Sequence, residues 1–157
     1  MRAVIQRVKQ ASVVVDSKVV GQIDKGLLVL VGVCPEDGPE DCEKLAAKLT
    51  KLRLWPDEQG APWRKSAADI GGKILCVSQF TLYATIQKGT KPDFHAASGG
   101  AHAQNLYDMV KQLVAKGMPN GETDVQDGQF GAMMDVSLIN DGPVTIQYDT
   151  KISRSGK

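Results

Sequence analysis

Residues 26–33 read Gly-Leu-Leu-Val-Leu-Val-Gly-Val, and from Leu27 to Val33 no polar side chain interrupts the run. A strand with one wetted face alternates apolar and polar residues, so an unbroken run of this length predicts a strand covered on both faces. Upstream, Val4, Ile5 and Val8, then Val13, Val14 and Val15, lie in β-branched stretches that read as strands. Val19, Val20 and Ile23 form another, punctuated by Gly21 and Gly26. Together these segments predict an antiparallel meander at the start of the chain.

Downstream, the segment from Pro35 to Pro39 breaks the strand pattern and opens a helix, with Pro39 in the first turn and Glu40, Asp41 and Glu43 near the positive end of its dipole. Cys42, Leu45, Ala46, Leu49 and Leu52 recur at helical spacing. Trp55 to Ser66 contains Pro56, Gly60 and Pro62 and reads as a loop, with Trp63 as a packing cover. Lys73 to Phe80 (KILCVSQF) is expected to be a second buried strand, and Tyr83 to Asp93 an exposed stretch. A second helix carries Ala103, Leu106, Tyr107, Val110, Leu113 and Val114 on one face and stops near Gly117, ahead of Pro119. Phe130 to Tyr148 alternates in strand fashion around Asn-Asp-Gly-Pro. The expected fold is α+β: one domain over residues 1–157, with a strongly curved, mainly antiparallel, barrel-like sheet and two principal helices.

Composition narrows the function. Apolar residues make up 42% and charged residues 24% of the chain, as in a soluble globular protein. The 19 basic and 18 acidic residues give a net charge of +1, too little for a protein that grips a long phosphate backbone, though sufficient for one that touches the end of an RNA. No apolar run spans a bilayer, and the opening MRAVIQRVKQ has strand character rather than that of a signal peptide, so mature cytoplasmic sequence is expected. Cys34, Cys42 and Cys76 are widely spaced and only His95 and His102 accompany them, so neither a structural metal nor a cofactor is expected.

Two segments carry chemistry. In Ser78-Gln79-Phe80-Thr81-Leu82 a buried strand runs into polar residues, whose hydroxyl, amide and backbone N–H groups can converge on one point. In Asn140-Asp141-Gly142-Pro143-Val144-Thr145, Gly142 lacks a Cβ and its carbonyl can approach a ligand, while an ordinary hairpin turn is the plainer reading. SQFTL and NDGPVT, in this order and about 60 residues apart, resemble the two signature motifs of the D-aminoacyl-tRNA deacylase family. The opening MRAVIQRVKQASVVV, the GLLVLVGV strand, KGTKPDF and FGAMMDVSL resemble the same family in the same order, so the likeness covers essentially the whole chain.

The resemblance implies an ester hydrolase that releases D-amino acids, or glycine mischarged on tRNA-Ala, from the 3′ end of tRNA. It implies that Ser78, Gln79, Phe80 and Thr81 line the reaction pocket. Thr81 is the side-chain nucleophile candidate, but no histidine lies in a matched motif to serve as its base. The alternative is a site in which backbone N–H groups around Phe80 and Thr81, with Gln79, hold the ester carbonyl while the terminal 2′-OH of the tRNA helps activate water. Gly142 and Pro143 match a Gly-cis-Pro element that excludes L side chains and reaches the site from the partner in a homodimer. Arg7 matches an arginine that holds this turn. Met134 falls where the family has a methionine near the terminal adenine, with core filling as the competing reading. Lys88 and Lys91 are candidates for phosphate contacts or for a solvated charged loop. The chain departs from the family pattern at Lys91, where arginine is more usual, and at Pro62-Trp63-Arg64-Lys65-Ser66, where the family has an asparagine-containing stretch. Two other readings are a non-catalytic nucleic-acid-binding protein on the same fold and a cysteine hydrolase built on Cys76, the latter disfavoured by the apolar strand around that thiol.

Overall fold

The computed structural model describes residues 1–152. Its frame is β1 (Arg2–Val15), β2 (Lys18–Ile23) and β3 (Gly26–Gly32), followed by α1 (Pro39–Lys51). The small strands β4 (Arg53–Trp55) and β5 (Lys65–Ser66) precede β6 (Lys73–Ser78) and α2 (Gly100–Gly117), and β7 (Val125–Asp127) and β8 (Asp135–Asp149) complete the chain. One edge of β1 pairs with β3 over Arg2–Val8 and then with β2 over Ala11–Val15, while its other edge pairs with β8 from Arg2 to Val14, all antiparallel. β3 continues into β6 and β6 into β7 by parallel pairing. The strongly curved sheet returns towards its start, and a Cβ on Gly21 of β2 would lie 2.1 Å from the carbonyl oxygen of Asp127 in β7. That approach, open only to glycine, leaves the sheet nearly closed into a barrel.

The apolar run of β3 is divided between two cores. Leu27, Val29 and Val31 join Ile74 and Cys76 of β6 beneath the helices, together with Leu45, Leu49, Tyr107, Val110 and Val114. Leu28 joins Leu75 and Val77 in a second cluster on the opposite face, with Val8, Val13 and Ile23. Each such side chain contributes about 1.5–3 kcal/mol by leaving water, so a polar residue anywhere in this run would be penalised. β1 supplies both cores by changing phase: Ala3 and Ile5 face the helices, whereas Val8, Ala11 and Val13 belong to the second cluster. The change of phase falls between Val8 and Ala11, where the pairing with β8 shifts register between Val8 and Gln10.

Four expectations from the sequence change. The first and second valine stretches are one strand, β1, because β8 spans both. The presumed loop Trp55–Ser66 is framed by the β4–β5 pair, with Trp63 55% exposed rather than packed as a cover. β6 ends at Ser78, where the chain turns into a single 3-10 turn, Phe80–Tyr83, that leaves Phe80 54% exposed and buries Tyr83 under the Arg2 guanidinium. Finally, Asn140–Pro143 is no hairpin: the residues on both sides of it pair with the same strand, β1.

The C-terminal end of β8 is pinned to α1. Thr150 Oγ1 donates to Asp41 Oδ1 at 2.5 Å, Lys151 Nζ lies 2.8 Å from Asp41 Oδ2, and the Gly38 N–H donates to the same carboxylate at 3.0 Å. Burial alone would raise the Asp41 pKa, but the hydrogen bonds from Lys151, Thr150 and the Gly38 backbone outweigh it and hold the carboxyl well below the usual carboxylate range. A carboxylate depressed in the folded state stabilises the fold above its unfolded pKa, about 4, and that contribution fades as pH falls further. Asp41→Asn should therefore lower the melting temperature at pH 7 and weaken its decline between about pH 4 and pH 2, measured by thermal melts across that range. An unaltered acid limb would contradict this role for Asp41.

Candidate active site

At the end of β6 the Gln79 N–H donates to Val31 O at 2.7 Å, which holds the strand in place to its last residue. The 3-10 turn that follows closes through Leu82 N–H to Gln79 O and Ala84 N–H to Thr81 O. The first N–H groups of a helical turn have no acceptor within it, and among the described residues those of Phe80 and Thr81 have no backbone acceptor, which leaves them as open donors side by side. The Gln79 side-chain amide donates to Thr81 Oγ1 at 2.5 Å, so the hydroxyl is engaged by an amide and not by a base. Phe80 meets Phe94 edge to face, with ring centroids 5.1 Å apart. Phe94 belongs to a hairpin closed by mutual Thr85–Asp93 backbone bonds of 2.8 and 2.9 Å, which carries Lys88 and Lys91 exposed on its loop. The neighbouring His95 is almost fully exposed, with its ring Nδ1 2.8 Å from Asp93 Oδ2. Hydrogen bonds from the His95 backbone N–H and ring lower the Asp93 pKa. The sequence offered no motif linking His95 to the SQFTL segment, and Phe94 against Phe80 brings the two into one region.

The second segment is a bulge in β8. Gln6 pairs with Thr145 and Val8 with Asn140, so the single residue Arg7 stands opposite four residues, Asp141, Gly142, Pro143 and Val144. The surplus chain is braced from both sides. Arg7 Nε donates to Asp141 O at 2.8 Å and lies 3.6 Å from its carboxylate, while Arg7 Nη1 donates to Leu54 O at the edge of β4. Asn140 acts as a local strand partner: its Oδ1 accepts from Val144 N–H at 2.7 Å, and its Nδ2 donates to Val144 O and Thr145 Oγ1, each at 3.1 Å. The Gly142–Pro143 bond is cis, and Gly142 has φ +156°, a conformation L side chains rarely adopt. Nothing in the sequence signals the Asn140 bonds, because a side chain that substitutes for backbone leaves no spacing signature.

The single chain does not bring all the predicted site residues together. Ser78 pairs with Val31, Val31 with Ala3, and Ala3 with Tyr148, whereas the bulge lies at the level of Arg7 and Leu27. The Ser78–Thr81 segment and Gly142–Pro143 are thus three strands and four ladder steps apart, roughly 15–20 Å at ordinary sheet spacings. Arg7 does meet the bulge. Met134 lies elsewhere, partly buried against the second core cluster, where its Sδ accepts from Gln129 N–H at 3.3 Å. Cys76 is fully buried, and burial, followed by the nearby Asp127 charge, pushes its thiol up to about 12, which suits a packing residue and not a nucleophile. Among the described residues no group of three or more His, Cys, Asp or Glu could hold a metal ion, and no helix is long and apolar enough to cross a membrane.

A barrel-like α+β domain with open donors on one turn and a braced bulge on another matches an assigned family. The family model described as D-Tyr-tRNA(Tyr) deacylase matches residues 4–149. The D-aminoacyl-tRNA deacylase of Yarrowia lipolytica is 60% identical over 152 residues, covering 96% of this chain and 98% of that protein. The Saccharomyces cerevisiae D-aminoacyl-tRNA deacylase is 48% identical over 150 residues, covering 96% and 99%. A solved structure described as c-Myc DNA Unwinding Element Binding Protein superposes with a TM-score of 0.88 at 42% identity, covering 95% of this chain and 98% of that one. The chain belongs to the D-Tyr-tRNA(Tyr) deacylase family.

The Asn140 brace can be tested without any substrate. A net hydrogen bond is worth about 0.5–1.5 kcal/mol, so Asn140→Ala should speed hydrogen exchange of the Val144 amide by about threefold to tenfold, while amides of β3 and β6 stay as protected as before. Equal exchange at Val144 in both proteins would mean that the bulge is held by something other than Asn140.

Proposed function

We propose that this chain hydrolyses the ester between a D-amino acid and the terminal ribose of tRNA, and also accepts glycine mischarged on tRNA-Ala. The observation that carries this reading is the pair of open N–H groups on Phe80 and Thr81, set on an exposed turn at the end of a rigid strand. Acyl transfer needs donors fixed in advance where negative charge develops on the ester oxygen, and each such donor is worth about 3–4 kcal/mol in the transition state. Gln79, Ser78 and Thr81 complete the pocket, and the substrate's own 2′-OH helps activate the attacking water. No cofactor and no metal takes part.

In this reading Gly142 and Pro143 form the chirality filter. Backbone carbonyls from a braced turn occupy the space of an L side chain, whereas a D side chain leaves that space empty and glycine has none. A filter made of backbone ignores side-chain identity, as general proofreading in the cytoplasm requires. The separation of the bulge from Ser78–Thr81 within one chain supports a homodimer in which the turn of one subunit enters the pocket of the other. Arg7 holds the turn, Met134 contacts the terminal adenine, and Lys88 and Lys91 meet phosphates near the 3′ end. The name of the DNA-element-binding relative favours a second reading, nucleic-acid binding without turnover. The near-neutral charge counts against it.

Incubation with D-Tyr-tRNA and L-Tyr-tRNA should release only the D-amino acid; release of neither would leave the binding reading in its place. Thr81→Ala should keep substantial activity because the donors are backbone, whereas complete loss would restore Thr81 as nucleophile. Mixing a variant that has lost the Gly142–Pro143 filter with an equal amount of one inactivated across Ser78–Thr81 should halve the release of L-Tyr by the first, since after exchange half of its pockets face an intact turn. Unchanged L-Tyr release after subunit exchange would refute the shared site.

A further inference from the structure

We propose that Trp63 is a positioning residue for the bulge, acting through Arg7 on the choice between D and L substrates; this rests on the filter assigned to Gly142 and Pro143 above. Trp63 lies in the loop between β4 and β5, within the segment that departs from the family pattern. Two features of its placement are unfavourable in isolation. Its φ is +60°, a left-handed conformation that crowds any residue with a Cβ, and its indole is more than half exposed. A residue placed only for packing would have neither.

The loop is built to hold that position. Asp57 Oδ1 accepts from Gln59 N–H at 3.0 Å and from Ala61 N–H at 2.9 Å, and Asp57 N–H donates to Ala61 O at 3.0 Å. Arg64 N–H donates to Trp55 O at 2.9 Å, which ties the residue after Trp63 to β4. From this frame the Trp63 ring stands over the Arg7 guanidinium, 5.9 Å from ring centroid to guanidinium carbon, within cation–π range. The same guanidinium bonds Asp141 O at the start of the bulge and Leu54 O at β4. Arg7 is mostly shielded, with 16% of its side chain accessible.

The chemistry follows from that stack. An arginine on a surface strand has many solvated rotamers, and each competes with the one that reaches Asp141. An aromatic face over the guanidinium favours the stacked rotamer and keeps water from the Arg7–Asp141 bond, which strengthens it. Trp63 thus sets how firmly the bulge is held, and through that how sharply an L side chain is refused. It touches neither the ester nor the attacking water.

The full chain carrying Trp63→Ala, Trp63→Phe, Arg7→Ala or Trp63→Ala with Arg7→Ala would be assayed on D-Tyr-tRNA and L-Tyr-tRNA, with kcat/KM measured for each. Trp63→Ala should lower the D-over-L ratio by about threefold to tenfold, and Trp63→Phe, which keeps an aromatic face, should recover most of it. The double variant should match Arg7→Ala alone, because both changes remove one brace. A wild-type ratio in Trp63→Ala beside a reduced ratio in Arg7→Ala would overturn the role of Trp63 and leave the filter intact. Wild-type ratios in both would remove the filter reading together with this one. Losses that multiply in the double variant would show that Trp63 acts independently of Arg7, which also overturns the proposal.

Discussion

A single guanidinium makes a register mismatch into a defined piece of structure. Arg7 is the one residue of β1 opposite the four residues Asp141–Val144 of β8, and a strand pair with three residues to spare has many ways of dissipating them. The hydrogen bond from Arg7 to Asp141 O and the Asn140 bonds to Val144 select one arrangement. Arg7 also reaches Leu54 O, so the bulge is referred to β4 and not only to its neighbour in the ladder. Were this brace absent, β8 could slip against β1, and with a side-chain period of two each single step would invert which residues face the core.

The same stretch of β1 serves the two cores. Its buried positions change phase around Val8, sending Ala3 and Ile5 beneath the helices and Val8, Ala11 and Val13 to the opposite face. Val8 faces away from Ala3 and Ile5 by ordinary alternation, whereas Ala11 and Val13 join it only because β1 changes phase between Val8 and Ala11. This second irregularity, between Val8 and Gln10, adjoins the bulge opposite Arg7, so the candidate site lies beside a register shift on which the packing of β1 depends. β3 and the apolar centre of β6, Ile74–Val77, need no such device because each alternates regularly between the two clusters.

The turn after β6 has a different character. Its donors are open because the chain leaves the sheet at Gln79 and enters a 3-10 turn whose first N–H groups have no acceptor within the turn and no backbone acceptor among the described residues. Rigidity comes from the strand before it, held by Val31, and from Tyr83 after it, buried beneath the Arg2 guanidinium. The region carries exposed aromatic rings and exposed lysines beside a precisely held backbone, a combination suited to a ligand with a flat base, charged phosphates and a reactive carbonyl.

Local pattern was enough to predict the doubly covered strand at residues 27–33 and both amphipathic helices, because each depends on periodicity within the chain. Resemblance to a family added the pairing of SQFTL with NDGPVT, which no local rule supplies. Beyond the reach of sequence lay everything set by partners distant along the chain. The Asn-Asp-Gly-Pro segment reads locally as a hairpin turn, and only its shared partner β1 makes it a bulge. Trp63 reads as a packing residue, and only the fixed loop and the position of Arg7 set it outside, over a guanidinium. Phe80 and Tyr83 exchange their expected environments because the strand stops two residues early. Sequence determines which surfaces each segment must bury or wet; tertiary structure decides which segment meets it, since hydrogen-bond register and closure of a curved sheet are properties of the assembled chain.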